Sequence, residues 1–130
     1  MRIHWVKLVA GAAAAEIGAV VILILVVAIF GPNNLADAQV FAERVGRWVG
    51  PSAGMALSFL GSFWIARTVA SGAVAHGVLF GICISIIDLA LLVAMQTPFE
   101  WLLVFSNIGK LLTATAGGAL ASRLRIGTSA

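Results

Sequence analysis

The chain has 130 residues, of which 62% are hydrophobic and 10% charged, against roughly 25% charged in an ordinary soluble domain. So much apolar sequence excludes a water-soluble core of this size and places the chain among integral membrane proteins. The net charge of +3 does not point to nucleic acid, because the basic residues stand at the ends of apolar runs rather than together on one exposed face.

Four spans follow in chain order, each near the roughly 20 apolar residues that a bilayer-crossing helix needs. The first is residues 8–30, "LVAGAAAAEIGAVVILILVVAIF", closed by Gly31-Pro32, where proline cannot continue the hydrogen-bond ladder. A basic start and Ala36-Asp37-Ala38 resemble a secretory signal, but the apolar part far exceeds a signal h-region of roughly 7–15 residues, so a permanent span is expected. Next comes the one sizeable loop, in which Phe41, Val45 and Trp48 recur at helical spacing. Residues 35–48 therefore predict a short helix on the outer surface, or an outward extension of the second span.

The second span covers residues 49–70, with Pro51 in its first turn, where a missing N–H is harmless. The third covers 73–95 and holds the single cysteine, Cys83, which is expected to be a packing residue. The fourth covers 101–122 and follows Thr97-Pro98-Phe99-Glu100, which reads as a capping box. The fold class is all-α: a polytopic four-helix membrane bundle, one domain over residues 1–130. Arg2, Lys7, Arg67, Arg123 and Arg125 gather at one end against Arg44 and Arg47 at the other, which predicts both termini in the cytoplasm. Trp5, Trp48 and Trp101 then fall near the interfaces, where indole rings prefer to sit.

Three ionisable residues lie inside these spans. At about 1.5 Å per residue, Glu16 is about 13 Å from the cytoplasmic end of its helix, Lys110 about 18 Å and Asp88 about 22 Å, a band near the midplane. A charge facing lipid there costs at least about 2.5–3.5 kcal/mol, so all three are expected to turn inward and meet. Ser58, Ser85, Asn107 and Thr113 fall at similar depths. Helix faces agree: Ala73, Gly77, Gly81 and Ser85 recur every four residues with Asp88 three further on, and Ser106, Lys110, Ala114, Gly118 and Ser122 trace a second stripe. Both are small-residue seams of the kind that pack membrane helices closely. Asp88 and Lys110 are thus expected to pair. Two acids against one base leave an excess negative charge, which assigns Glu16 a bound proton or cation.

Arg67 and His76, in the turn between the second and third spans, are a candidate headgroup-binding or gating pair; snorkelling to the interface is the simpler account. Two histidines and one cysteine do not build a haem or zinc site, and no metal or cofactor is expected. No glycine-rich nucleotide loop and no Ser/His/Asp set in an accessible loop is present, so an enzyme is not expected.

Residues 61–81, "GSFWIARTVASGAVAHGVLFG", resemble the central hairpin of small bacterial four-helix membrane proteins without an assigned function, through Ala66-Arg67 and His76-Gly77 to Gly81. That resemblance implies a four-helix fold in a bacterial inner membrane and no activity. A second, local resemblance is to small multidrug resistance transporters: "GAAAAEIG", with Glu16, looks like the surroundings of the first-span glutamate at which they bind cationic drugs and protons, and "SFWIA" looks like part of their second span. The chain departs from that family in having no tyrosine, in carrying Lys110 and in its longer first loop.

Two function classes are expected to compete. One is proton- or cation-coupled transport through the layer of Glu16, Asp88 and Lys110, with Ser85, Asn107 and Thr113 lining a polar path. The other is an accessory subunit of a larger membrane complex. The partners are the lipid bilayer and, through the small-residue faces, a second copy or a larger membrane protein.

Overall fold

The computed structural model describes residues 3–69, 71–96, 98 and 100–126, with side chains as far as residue 124. Arg2, Ala70, Thr97, Phe99 and the Arg125 side chain, on which parts of the sequence expectations rest, lie outside the described residues. All regular structure among the described residues is helical: α1 (Trp5–Phe30), α2 (Leu35–Thr68), α3 (Ala73–Ala94) and α4 (Trp101–Ile126). Short connections make successive helices antiparallel. One end of the bundle, the connection end, carries the links from α1 to α2 and from α3 to α4; the other, the terminal end, carries the start of α1, the end of α4 and the link from α2 to α3.

Local chemistry explains the boundaries. The Asn34 side chain caps α2 by accepting from the Ala36 amide at 3.1 Å, and Asp37 in the first turn complements the helix dipole. At the terminal end, Gly72 starts α3 at φ 73°, a left-handed conformation that a Cβ would strain. Three helices, α1, α2 and α3, are long and apolar enough to cross a bilayer. α4 has 26 residues, enough for about 39 Å, but Ser106, Asn107, Lys110, Thr113 and Thr115 dilute its apolar character.

Of the two readings of residues 35–48, the structure shows the outward extension of the second span and no separate surface helix: α2 runs unbroken for 34 residues, about 51 Å. Pro51 therefore sits in the helix interior, not in its first turn. With no N–H at Pro51, the carbonyl of Arg47 loses its intrahelical donor, and the helix continues because the flanking packing holds it.

Packing is closest where α4 lies against α2 and α3, while α1 rests on α2 and α3. α1 and α4 face each other across the bundle axis without direct backbone packing. The α3–α4 contact is made by glycines: a Cβ on Gly77 would stand 2.6 Å from the Ala114 carbonyl oxygen and 3.1 Å from Gly118 Cα. A Cβ on Gly81 would stand 2.9 Å from Leu111 Cα. The small-residue faces that the sequence shows on the third and fourth spans are therefore filled against each other within the protomer. Toward the terminal end the axis is closed by Leu8, Ala12, Ile65, Phe80, Ile84 and Ala114, all under 9% exposed. Large apolar side chains such as Ile17, Ile24, Ile29, Trp64, Ile86 and Leu112 point outward, as they do in a bundle solvated by lipid.

Candidate functional site

Halfway along the bundle, α1, α3 and α4 deliver their one internal charge each to the same place. Lys110 Nζ donates to Glu16 Oε1 at 2.7 Å and lies 3.3 Å from Asp88 Oδ1. The lysine side chain is 5% exposed, Glu16 10% and Asp88 18%, so an ammonium is shared by two carboxylates away from bulk water. Because α1 and α4 do not pack together, the lysine has to span the axis, and Gly54 of α2 makes room for it. A Cβ at residue 54 would stand 2.6 Å from Lys110 Cε.

Neighbouring polar groups hold the arrangement. Asn107, one turn before Lys110 on α4, donates through Nδ2 to Asp88 Oδ2 at 2.8 Å and to its own helix at the Leu103 carbonyl, 3.0 Å. Asn107 Oδ1 is buried without a partner among the described residues. Ser58 is buried and donates to the Gly54 carbonyl at 2.6 Å, which keeps the hydroxyl satisfied beside the lysine stem. Ser106, one turn from Lys110, is 5% exposed and borders the same space.

The expected pairing is thus refined. The short contact of Lys110 is to Glu16, and Asp88 is held jointly by the lysine and Asn107. Two expected members of the layer stand apart. The Thr113 hydroxyl donates back to the Gly109 and Lys110 carbonyls at 2.9 and 3.1 Å, satisfying itself within α4. Ser85 lines a mostly apolar groove between α3 and α4 that it shares with Asn107, Leu89, Leu92 and Val104, and it does not line the cavity beside the triad.

The turn residues also separate. His76 is 1% exposed, and its Nδ1 meets the Gly72 carbonyl at 2.9 Å, so it does not reach a headgroup. Its ring sits 6.2 Å from that of His4. Arg67 is exposed and lies over the Phe63 ring at 5.4 Å, as a cation–π pair. The structure thus parts the two, burying His76 and leaving Arg67 exposed. Cys83 is a half-buried free thiol packed against the core. No cluster of three or more metal-ligating side chains occurs among the described residues.

A cavity of about 220 Å³ adjoins the charged group on its connection side, walled by Ala19 and Leu23 of α1, Gly50 and Pro51 of α2, and Leu103 and Ser106 of α4. Farther out, a second cavity of about 500 Å³ is bordered by Glu43, Arg47, Pro98 and Glu100. The two share Gly46, Pro51 and Leu103. Arg47 and Glu100 approach to 3.9 Å at this mouth, an exposed pair.

Sequence reasoning missed Gly54, and it placed Ser106 on a packing stripe only. The signal for Ser106 was present, since it lies four residues before Lys110 on the same helix face. Gly54 had none, because what it touches comes from a helix more than fifty residues later. The fold and site define an all-helical bundle of membrane type around a buried ion triad. Compared with protein-family models, with curated proteins and with solved structures, the chain matches none.

Proposed function

We propose that the protein is a multi-pass protein of a bacterial inner membrane, crossing the bilayer with all four helices and both termini cytoplasmic, and that it carries out proton- or cation-coupled transport through the Glu16–Lys110–Asp88 triad. The observation that carries this reading is one ammonium within 2.7 and 3.3 Å of two carboxylates. Two bases competing for one cation form a switch. With one proton on the acid pair, a protonated Glu16 leaves the lysine to Asp88; when Asp88 takes a proton and Glu16 releases its own, the lysine returns to Glu16. Each exchange keeps the buried charge paired, which a low-dielectric interior requires.

Lys110 also narrows the choice of substrate. The place beside Glu16 that a bound organic cation would take is filled by the lysine's own ammonium. Among the described residues, the wall of the adjoining cavity has no aromatic ring to hold such a cation. A proton is the smaller demand.

Reconstitution of the purified protein in liposomes under an imposed pH gradient tests this, with internal pH followed by a trapped dye. Proton flux is expected in the wild type, and its loss in Glu16→Gln and in Asp88→Asn, each still folded and monodisperse. Equal flux in wild type, variants and empty liposomes overturns the transport reading. The alternative, an accessory subunit, then gains if a larger membrane protein co-purifies in fixed ratio.

A further inference from the structure

We infer that water reaches the triad from the connection end alone, through a vestibule between α1, α2 and α4, and that Gly50 and Pro51 are the residues that build it. The inference rests on the transport reading for its purpose, but it can be tested separately from flux.

The two cavities share the wall residues Gly46, Pro51 and Leu103; one is bordered by Glu43, Arg47 and Glu100 and the other by Glu16, Asp88 and Lys110, an end-to-end order that makes a single path of them. Along α1 the inner part extends from Glu16 to Leu23, about 10 Å at 1.5 Å per residue. Beyond Glu16 the α1 wall is apolar, and α2 and α4 contribute what keeps this space open or wet. A Cβ placed on Gly50 meets nothing within 4 Å, so the missing side chain leaves empty space and not a packing contact. One residue later, Pro51 lines both cavities and leaves the Arg47 carbonyl without an amide donor. A backbone oxygen of that kind is tolerated at membrane depth where it lines a water-filled cavity. Ser106 adds a hydroxyl at the inner end. The space thus combines room for several waters with the polar partners that ordered water needs.

Toward the terminal end the situation reverses. Ala12, Ile84 and Ala114 lie directly beyond the triad, with Leu8 and Phe80 behind them, and none of the five exceeds 9% exposure. The buried hydroxyls at this level, Ser58 and Ser62, are each satisfied on carbonyls of their own helix, at Gly54 and Phe59, and the unpartnered Nε2 of His76 lies one turn farther toward the terminal end than Phe80. The residual exposure of Glu16 and Asp88 therefore belongs to the vestibule.

Thiol accessibility in membranes reads this directly. In a Cys83→Ser background, Leu103→Cys and Ser106→Cys line the vestibule, Ala114→Cys lies in the apolar plug, and Asn33→Cys marks the connection face. Each is challenged with a membrane-impermeant cationic methanethiosulfonate in sealed vesicles of either orientation. Residues 103 and 106 are expected to react from the same face as residue 33, residue 114 from neither, and addition of Gly50→Leu is expected to abolish reaction at 106 while leaving 33 reactive. Thermal unfolding of each variant shows whether it is folded, and Leu103→Cys serves where Ser106→Cys is not. No reaction at 103 and 106, or reaction from the opposite face, overturns the vestibule. Because labelling needs no proton movement, a vestibule without transport and transport without this vestibule give different results.

Discussion

At the scale of the residue, the decisive fact is that Lys110 is held by two acids at once. Taking charges out of water is expensive, and removing one member of a buried group leaves the others uncompensated, at about 3–5 kcal/mol. Lys110→Met is therefore expected to destabilise the protein by about that amount, because two carboxylates would face each other across an apolar axis. Combining it with Glu16→Gln and Asp88→Asn removes the repulsion, and most of the stability should return. Thermal unfolding in one detergent checks this: a triple variant no more stable than Lys110→Met would mean that the charges are not coupled. The convergence itself was legible, since three charges at similar depth on separate spans have few alternatives to meeting. Which acid the lysine prefers was not legible, because a flexible side chain several ångströms long covers differences in depth of that size. The bonding of Thr113 was not legible for a related reason. A helix-borne hydroxyl can satisfy itself on its own backbone, as Thr113 does, and depth alone does not say which face it takes.

Among the elements, glycine has two opposite uses in the same bundle. Gly77 and Gly118 let α3 and α4 touch backbone to backbone, since a Cβ on Gly118 would stand 2.7 Å from the Ala73 carbonyl and 3.1 Å from Gly77 Cα. Backbone atoms cannot rotate away, so Gly77→Ala or Gly118→Ala is expected to force the helices apart and lose about 1–3 kcal/mol. Gly50→Ala meets nothing and improves helix propensity, so its expected effect is neutral to a gain of about 1 kcal/mol. Unfolding midpoints measured side by side decide the matter, and equal losses at all three positions would refute the distinction. The spacing of Gly77 and Gly81 announced a packing seam in the sequence. Its partner was not announced, and here it is α4 of the same chain. Pro51 misled for a physical reason: a proline near an apolar boundary ordinarily begins a helix, and only packing on both sides lets α2 run through it.

For the whole molecule, the question is whether α4 crosses the membrane beside the three more apolar helices. It runs parallel to α2 and in step with it: Gly109 lies against Met55, and Gly117 against Ser62 and the Phe59 carbonyl. A helix locked along a spanning partner in that way has to share its depth. Withdrawing α4 would also uncover Ser58 and Ser62 on α2, both fully buried, and would strip Lys110 from two carboxylates that then face lipid. The low hydropathy of α4 follows from its place in the bundle, because its polar residues serve the triad and are shielded by α2 and α3. The proposed four crossings would put the two ends of the chain on one face and the 31–34 connection on the other, and the excess of Lys7, Arg67 and Arg123 at the terminal end would make that face cytoplasmic. Fusions test this in bacterial cells. A C-terminal green fluorescent protein is expected to fluoresce and a C-terminal alkaline phosphatase to be inactive, with the reverse for fusions made within residues 31–34. An active phosphatase at the C-terminus would mean three crossings, and the lysine of α4 would then have no membrane layer to complete.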